Sequence, residues 1–300
     1  MAIAQSTTVA EMLTARTGRA VEIVGITTAG DTSKAQLTQI GGTGVFVSAL
    51  RESLLTGEVD FAVHSLKDLP VGPAPAIVMA AVPPRDDPRD ALIARNGAKL
   101  ADLQPGARIG TGSPRRAAQL LLMRQDLTPV PIRGNAGTRL AKITSGDVDA
   151  VVLAYAGLAR IGKLDVVNQV FEPEEMLPAP GQGALAVECL ASRSEVIELL
   201  SSIDDLESRA ATEAERSVLA TLQAGCSAPV GAYAAGTDEL RLDAIVVAAD
   251  GGAALRGSIS GPAAAATRLG REMAADLLAR GADRYTDVSA GHLSYGEDAK

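Results

Sequence analysis

From Arg108 to Arg160, short apolar runs alternate three times with segments of helical periodicity. The predicted strands cover residues 108–110, 130–132 and 149–154, and the predicted helices cover 114–124, 136–145 and a turn that ends at Arg160. Such alternation predicts a parallel sheet with right-handed connections. The carboxyl ends of its strands then share one edge, where α/β proteins usually bind ligands.

The flanking residues predict two further units. On the amino-terminal side we predict helices over 3–16 and 46–55, strands over 21–27 and 59–63, and a polar loop over 29–44. Prolines near 83–88 and 178–183 predict two crossovers between units, and a strand over 184–189 follows the second. In the carboxyl-terminal part of the chain we predict helices over 206–222 and 263–278 and strands over 230–234, 240–248 and 254–259.

Composition excludes several classes of protein. The 300 residues carry a net charge of −8 and include four tyrosines, three phenylalanines and no tryptophan, which disfavours a nucleic-acid binder. Apolar runs such as 150–159 are too short to span a bilayer. Two cysteines and two histidines predict neither a disulfide scaffold nor a metal site. The amino terminus shows no signal-peptide pattern, so we expect a cytoplasmic protein.

The basic residues are concentrated in the βα series. Residues 108–163 contain nine arginines and lysines but three aspartates, a net charge of +6, which leaves −14 for the rest of the chain. Two of the junctions share one design, in which Ser113 or Asn135 caps a helix whose first turns carry arginines. Cations there oppose the helix macrodipole, so the arrangement predicts a receptor for carboxylates or phosphates. Solvated surface arginines are the alternative.

Two further residues could carry chemistry. Asp68 follows a predicted strand on a turn, where a carboxylate could stabilise a cation formed during a reaction, although an ordinary turn aspartate would look the same. Cys226 follows a helix carboxyl terminus, which disfavours a thiolate and a nucleophile that turns over. Either an inert loop cysteine, favoured on chemistry alone, or a cysteine alkylated once fits that position. Cys189 and His64 are predicted to pack on strands.

Seven segments together resemble the porphobilinogen deaminase family. They are GGTGVFV at 41–47, DFAVHSLKDLP at 60–70, RDDPRDA at 85–91, GTGSPRR at 110–116, RGNAGTRL at 133–140, LPAPGQGA at 177–184 and AGCSAPVG at 224–231. They occur in order over most of the chain.

The resemblance implies an α/β fold with two periplasmic-binding-protein-like domains, a double chain crossover and a smaller α+β carboxyl-terminal domain. The domains would be 1–83 with 184–202, 89–178 and 206–300. It also implies that the protein joins four porphobilinogen molecules into hydroxymethylbilane, releasing ammonia, on a dipyrromethane cofactor thioether-linked to Cys226. Porphobilinogen is the predicted partner, with no nucleic acid, no membrane and a monomeric chain.

Roles for individual residues are also implied by the resemblance. Asp68 matches the catalytic aspartate that steadies a cationic azafulvene. Lys67, Ser113, Arg115 and Arg116 match cofactor-binding positions, and Gln5, Arg133, Arg139 and Arg160 match substrate-binding positions. A polyanionic chain of pyrroles, each with two carboxylates, would explain the basic segment.

One expectation and two alternative functions complete the interpretation of the sequence. In the family a strand with an arginine and a serine precedes the first helix, so we expect the 300-residue form to be less active than one that includes it. A catalytically impaired or non-catalytic anion-binding homologue is one alternative. An RNA-binding module is the other, and the −14 remainder argues against it.

Overall fold

A computed structural model describes residues 1–26, 44–224 and 228–286 of the chain. The α-helices are α1 (Ala2–Thr17), α2 (Gly44–Leu55), α3 (Pro114–Met123), α4 (Ala136–Thr144), α5 (Tyr155–Arg160), α6 (Ser194–Ser201), α7 (Leu206–Thr221), α8 (Ala266–Ala279) and α9 (Asp283–Thr286). The strands are β1 (Phe61–Ser65), β2 (Ile77–Ala81), β3 (Asp90–Ala94), β4 (Arg108–Gly110), β5 (Thr128–Val130), β6 (Ala150–Ala154), β7 (Gln169–Val170), β8 (Leu185–Leu190), β9 (Val230–Ala235), β10 (Glu239–Val247) and β11 (Ala254–Pro262). Cys226 and residues 29–43 of the predicted loop lie outside the described residues.

The first sheet joins segments that are far apart in sequence. Its order is β1–β8–β2 with antiparallel pairing throughout, so β8 enters from beyond the second crossover. Helices α1 and α6 pack on it, and Val9, Leu13 and Leu200 fill the core with Val187. Both β2 and α6 were missed from sequence.

The strand predicted over 21–27 is wrong for the residues that the structure describes. Residues 21–26 have no regular secondary structure. Both this segment and β1 line a cavity of about 1140 Å³. β-branched residues favour a strand only where a neighbouring strand completes the hydrogen bonds, and no described strand pairs with this segment.

The second sheet is mixed rather than parallel. Its order is β5–β4–β6–β3–β7, and β4 pairs in parallel with β5 and β6 as the alternation predicted. Strand β3, which was missed, is antiparallel to β6 and β7. The connection from β3 to β4 contains short 3-10 turns and no crossover helix, so β4 returns in the opposite direction.

Two crossover segments, residues 82–89 and 171–184, connect the first two sheets and bind each other. Arg85 Nε donates to the Gln182 carbonyl at 2.9 Å, and Gln182 Nε2 donates to the Pro88 carbonyl at 2.7 Å. Gly183 has a φ of 89°, and a Cβ there would lie 2.4 Å from the Asp86 carbonyl oxygen. Only glycine fits this close approach of the two segments.

The third sheet, β11–β10–β9, is antiparallel and is covered by α7 and α8. Val218, Leu242, Met273 and Leu277 belong to its core. The predicted helices and strands of this unit all occur, with bounds that differ by one to three residues. Among the described residues, no helix is long and apolar enough to cross a membrane.

Candidate functional site

A cleft of about 1020 Å³ opens where the first two sheets, the second crossover and the third unit meet. Nine of the ten residues assigned through the resemblance line it. They are Gln5, Lys67, Asp68, Ser113, Arg115, Arg116, Arg133, Arg139 and Arg160. The tenth, Cys226, lies outside the described residues, but Ala228 two positions later lines the same cleft. Elements far apart in sequence therefore bring six cations around one space.

Asp68 is held on a turn that continues β1. A 3-10 turn over Leu66–Asp68 follows Ser65, and the Leu69 amide donates to the Leu66 carbonyl at 3.2 Å. Leu66 and Leu69 are buried, whereas Asp68 is exposed to the cleft. The two buried leucines anchor the turn in the core, and the Asp68 side chain lines the cleft.

Lys67 precedes Asp68 and lies among other charged groups. Its Nζ donates to Gln182 Oε1 at 3.3 Å. Burial disfavours the charged ammonium and Arg116 repels it, which together lower the pKa of Lys67 from 10.5 to about 8. At pH 7 this lysine is therefore still mostly charged, and it loses its charge as the pH rises through about 8.

Asp90 neutralises the arginines at the start of α3. It is fully buried and receives hydrogen bonds from Arg115 Nη2 at 2.8 Å, Arg116 Nη2 at 2.7 Å and Gln182 Nε2 at 2.8 Å. Burial alone would raise the pKa of Asp90, but Arg115 and Arg116 lower it well below the ordinary value. The sequence predicted a receptor for ligand carboxylates or phosphates at this turn. In the structure both guanidiniums are buried and pair with one carboxylate of the protein, because β3 places Asp90 beside them.

Ser113 and Pro114 begin α3 as predicted. The Ser113 hydroxyl accepts from the Arg116 amide at 3.4 Å, and Pro114 occupies the first helical position. Arg115 Nη1 donates to the Leu177 carbonyl at 2.6 Å. The buried Arg115 Nε finds no acceptor among the described residues, so one donor of this cluster is unsatisfied at the cleft.

The second junction leaves its arginines more accessible. Asn135 Oδ1 accepts from the Thr138 amide at 2.9 Å and caps α4 as predicted. Arg139 is half-buried and donates to the Gly134 carbonyl at 2.8 Å. Burial and Arg116 lower the pKa of Arg139, while Asp68 opposes this shift. Arg133 is exposed, and the structure gives it no hydrogen-bond or ion-pair partner among the described residues.

Arg160 and Gln5 also line the cleft. At the end of α5, Arg160 Nε donates to Asp86 at 2.8 Å and Nη2 donates to the Gly183 carbonyl at 2.6 Å. It therefore binds both crossovers. Gln5 is buried on α1.

His64 and Cys189 pack on strands of the first sheet as predicted. Both are buried, and His64 Nε2 lies 3.2 Å from the carboxylate of Glu188. Asp90 and Gln182 were missed as members of the site. A charge at the head of the apolar run 90–94 was the available signal for Asp90.

The fold and the cleft define a class of protein, namely a three-unit α/β protein with a cationic cleft that faces one exposed carboxylate. Residues 1–198 match the family model described as "Porphobilinogen deaminase, dipyromethane cofactor binding domain", and residues 210–279 match the "C-terminal domain" of the same family. The chain therefore belongs to the porphobilinogen deaminase family.

Curated relatives of the chain carry the same family name. It is 59% identical to the porphobilinogen deaminase of Thermobifida fusca, covering 97% of this chain and 94% of that protein. It is 53% identical to porphobilinogen deaminase 1 of Streptomyces coelicolor, over 94% and 93% of the two chains. Among solved structures it resembles the methionine binding protein MetQ, with a TM-score of 0.43 and 11% identity, over 66% of this chain and 83% of that one.

Proposed function

We propose that the cleft joins four porphobilinogen molecules into hydroxymethylbilane with release of ammonia, and that Asp68 is the catalytic residue. The observation that carries the proposal is the composition of the cleft. One exposed carboxylate, Asp68, faces six lysine and arginine side chains, and it is the only acidic side chain among the described residues of the lining. A substrate with two carboxylates per pyrrole fits such surroundings.

Asp68 would act on the charge that develops in the reaction. When ammonia leaves porphobilinogen, the remaining pyrrole carries positive charge, and an adjacent carboxylate stabilises it. Because Asp68 is held by a short turn between buried leucines, its carboxylate needs little reorganisation. Replacement by asparagine keeps the size and removes the charge.

The cations would hold the carboxylates. We assign Lys67, Ser113, Arg115 and Arg116 to the cofactor and Gln5, Arg133, Arg139 and Arg160 to the substrate. When bound, the dipyrromethane supplies the pyrrole position to which substrate units are joined. The residues fit such a group, since Arg115 Nε has no acceptor and Arg133 has no ion-pair partner among the described residues, and both side chains line the cleft.

Attachment through Cys226 is supported by its neighbours in the chain. Leu219 on α7 and Ala228 both line the cleft, and Cys226 lies between them in sequence. A cysteine alkylated once needs no lowered pKa for repeated turnover, which agrees with its place after a helix carboxyl terminus.

Intact mass spectrometry tests this assignment. The protein from a porphobilinogen-producing host should exceed its sequence mass by two pyrrole units. Cys226→Ala should remove the excess, whereas the matched variant Cys189→Ala, in buried strand β8, should retain it. An unmodified wild-type protein would contradict the proposal.

The three sheets support the division of the chain into domains 1–83 with 184–202, 89–178 and 206–300. We also propose a cytoplasmic monomer. Light scattering across a range of protein concentrations would contradict the monomer if the mass doubled.

A further inference from the structure

Arg216 connects the helix that leads toward Cys226 with the turn that carries Asp68. It lies on α7 and is half-buried. Its Nη1 donates to the carbonyls of Leu66 at 3.1 Å and Leu69 at 2.8 Å, and its Nη2 donates to the Pro70 carbonyl at 2.8 Å. These carbonyls lie on both sides of Asp68, so one guanidinium fixes the backbone before and after that residue.

The helix that presents Arg216 is itself fixed. The neighbouring Glu215 is fully buried and accepts from the Gly181 amide at 2.7 Å and the Ala234 amide at 2.9 Å. Its carboxylate also pairs with Arg85 at 2.6 Å. Both crossovers and β9 are thereby bound to the same turn of α7, and Arg216 is held at a defined position.

The far end of α7 leads to the cofactor segment. Leu219, one turn beyond Arg216, lines the cleft, and the helix ends at Thr221, five residues before Cys226 in sequence. One rigid element thus connects the Asp68 turn with the start of the segment that would carry the pyrrole chain. The planar fork of arginine suits this task, because a lysine offers a single nitrogen to the three carbonyls.

We propose that Arg216 is a positioning residue, which holds the turn 66–70 on α7 so that the Asp68 carboxylate faces the reacting pyrrole. This inference rests on the proposed catalytic role of Asp68. Misplacement of a catalytic group by about 1 Å can lower the rate by about 100-fold. Arg216→Ala should therefore lower kcat by about 10- to 100-fold and change KM little, with Arg216→Lys in between.

Arg209 provides a matched control on the same face of α7. Its Nη2 donates to the carbonyls of Met79 at 3.4 Å and Ala80 at 3.1 Å, and it pairs with Asp204 at 2.8 Å. Arg209→Ala removes a comparable set of contacts without touching the Asp68 turn. It should lower the melting temperature and leave kcat unchanged.

The experiment measures kcat, KM and melting temperature for wild type, Arg209→Ala, Arg216→Ala, Arg216→Lys, Asp68→Asn and the double variant Asp68→Asn with Arg216→Ala. Intact mass confirms that each carries the cofactor. If Arg216 acts through Asp68, its replacement should cause no further loss of kcat in the Asp68→Asn protein. Free guanidinium at low concentration should restore part of the rate of Arg216→Ala.

Several outcomes would overturn the inference. Arg216 variants that lose thermal stability but keep wild-type kcat would show a purely structural role. Losses that multiply in the double variant would show that the residues act independently, and an Arg216→Ala protein without cofactor would place its role in attachment. If Arg216→Ala does not fold, Arg216→Lys decides by the same criteria. Full activity in Asp68→Asn would instead contradict the proposed function.

Discussion

The junctions capped by Ser113 and Asn135 both place arginines around the start of a helix that follows a strand, yet the surroundings of these arginines differ. At the first, Arg115 and Arg116 are buried and share the carboxylate of Asp90. At the second, Arg133 is exposed and Arg139 is half-buried. Neighbouring β3 supplies a counter-charge to α3, and the structure gives Arg133 none among the described residues.

This difference in burial predicts a structural role for the arginines of the first junction and a binding role for those of the second. Buried guanidiniums bound to Asp90 form a rigid wall of the cleft and retain few donors for a ligand. Accessible guanidiniums keep most of their donors and can exchange water for carboxylates at small cost. The first junction should therefore affect stability most, and the second should affect binding.

Removing the negative charge of Asp90 should have the largest effect on the stability of the protein. Asp90→Asn keeps the side-chain size but leaves Arg115 and Arg116 buried without a carboxylate, which should lower the free energy of unfolding by about 3–5 kcal/mol. Urea denaturation measures the change. Asp147→Asn, which removes an exposed partner of Lys142, is the control and should be neutral. Wild-type stability in Asp90→Asn would mean that the two junctions do not differ.

Substitution of accessible arginine should separate binding from stability. Arg133→Ala should weaken porphobilinogen binding by about tenfold or more, as expected for loss of a charged hydrogen bond of ~1.5–3 kcal/mol. Its melting temperature should stay near that of wild type, whereas Arg116→Ala should lower it. Arg133→Lys should not restore affinity if the contact is bidentate. Calorimetry gives the affinity for porphobilinogen, and thermal melting gives the stability. Unchanged affinity in Arg133→Ala would show that this arginine takes no part in substrate binding.

Replacing one glycine at each junction by alanine should change the stability of the protein by a smaller amount, and in opposite directions. A Cβ on Gly112 would lie 2.7 Å from the Ile132 carbonyl oxygen, so Gly112→Ala should destabilise the protein by about 1–3 kcal/mol. A Cβ on Gly137 would be 3.4 Å from Asn135 Oδ1, an ordinary contact, and Gly137→Ala should gain up to ~1 kcal/mol through helix propensity. Equal melting temperatures would show that the first junction is packed no more tightly than the second.

The smallest expected effect is the pH dependence of Lys67. Raising the pH through about 8 removes its charge, so affinity for an anionic substrate should fall between pH 7 and 9. In Lys67→Gln the part of this fall in affinity that is due to Lys67 should be absent. Because the substrate titrates in the same way with both proteins, the difference between the two pH profiles reports Lys67 alone.

The sign for stability is opposite to that for binding. Because the folded pKa of Lys67 lies below its ordinary value of 10.5, the unfolded chain binds the proton more tightly, and this group's contribution to stability rises between pH 8 and 10.5. Identical pH profiles of wild type and Lys67→Gln, in binding and in stability, would contradict a lowered pKa of Lys67.

Much of the fold was predictable because local rules agreed with tertiary packing. The caps at Ser113 and Asn135, helix 206–222 and strands β4 and β6 follow from hydrogen-bonding residues and apolar periodicity. Strand β2 was obscured by flanking prolines. The strand predicted over 21–27 shows the opposite error, since its residues favour a strand but no described strand pairs with them.

By itself the sequence determined the family, the cationic segment and the charged residues that line the cleft, because these depend on motifs and on charge along the chain. Only the tertiary structure decided which cations are buried, which carboxylate neutralises them and which side chains hold the Asp68 turn. Asp90 is 25 residues from Arg115, and Arg216 is about 150 residues from Leu66. Such pairings depend on how sheets and crossovers meet, and no local pattern of residue types records that distance in space.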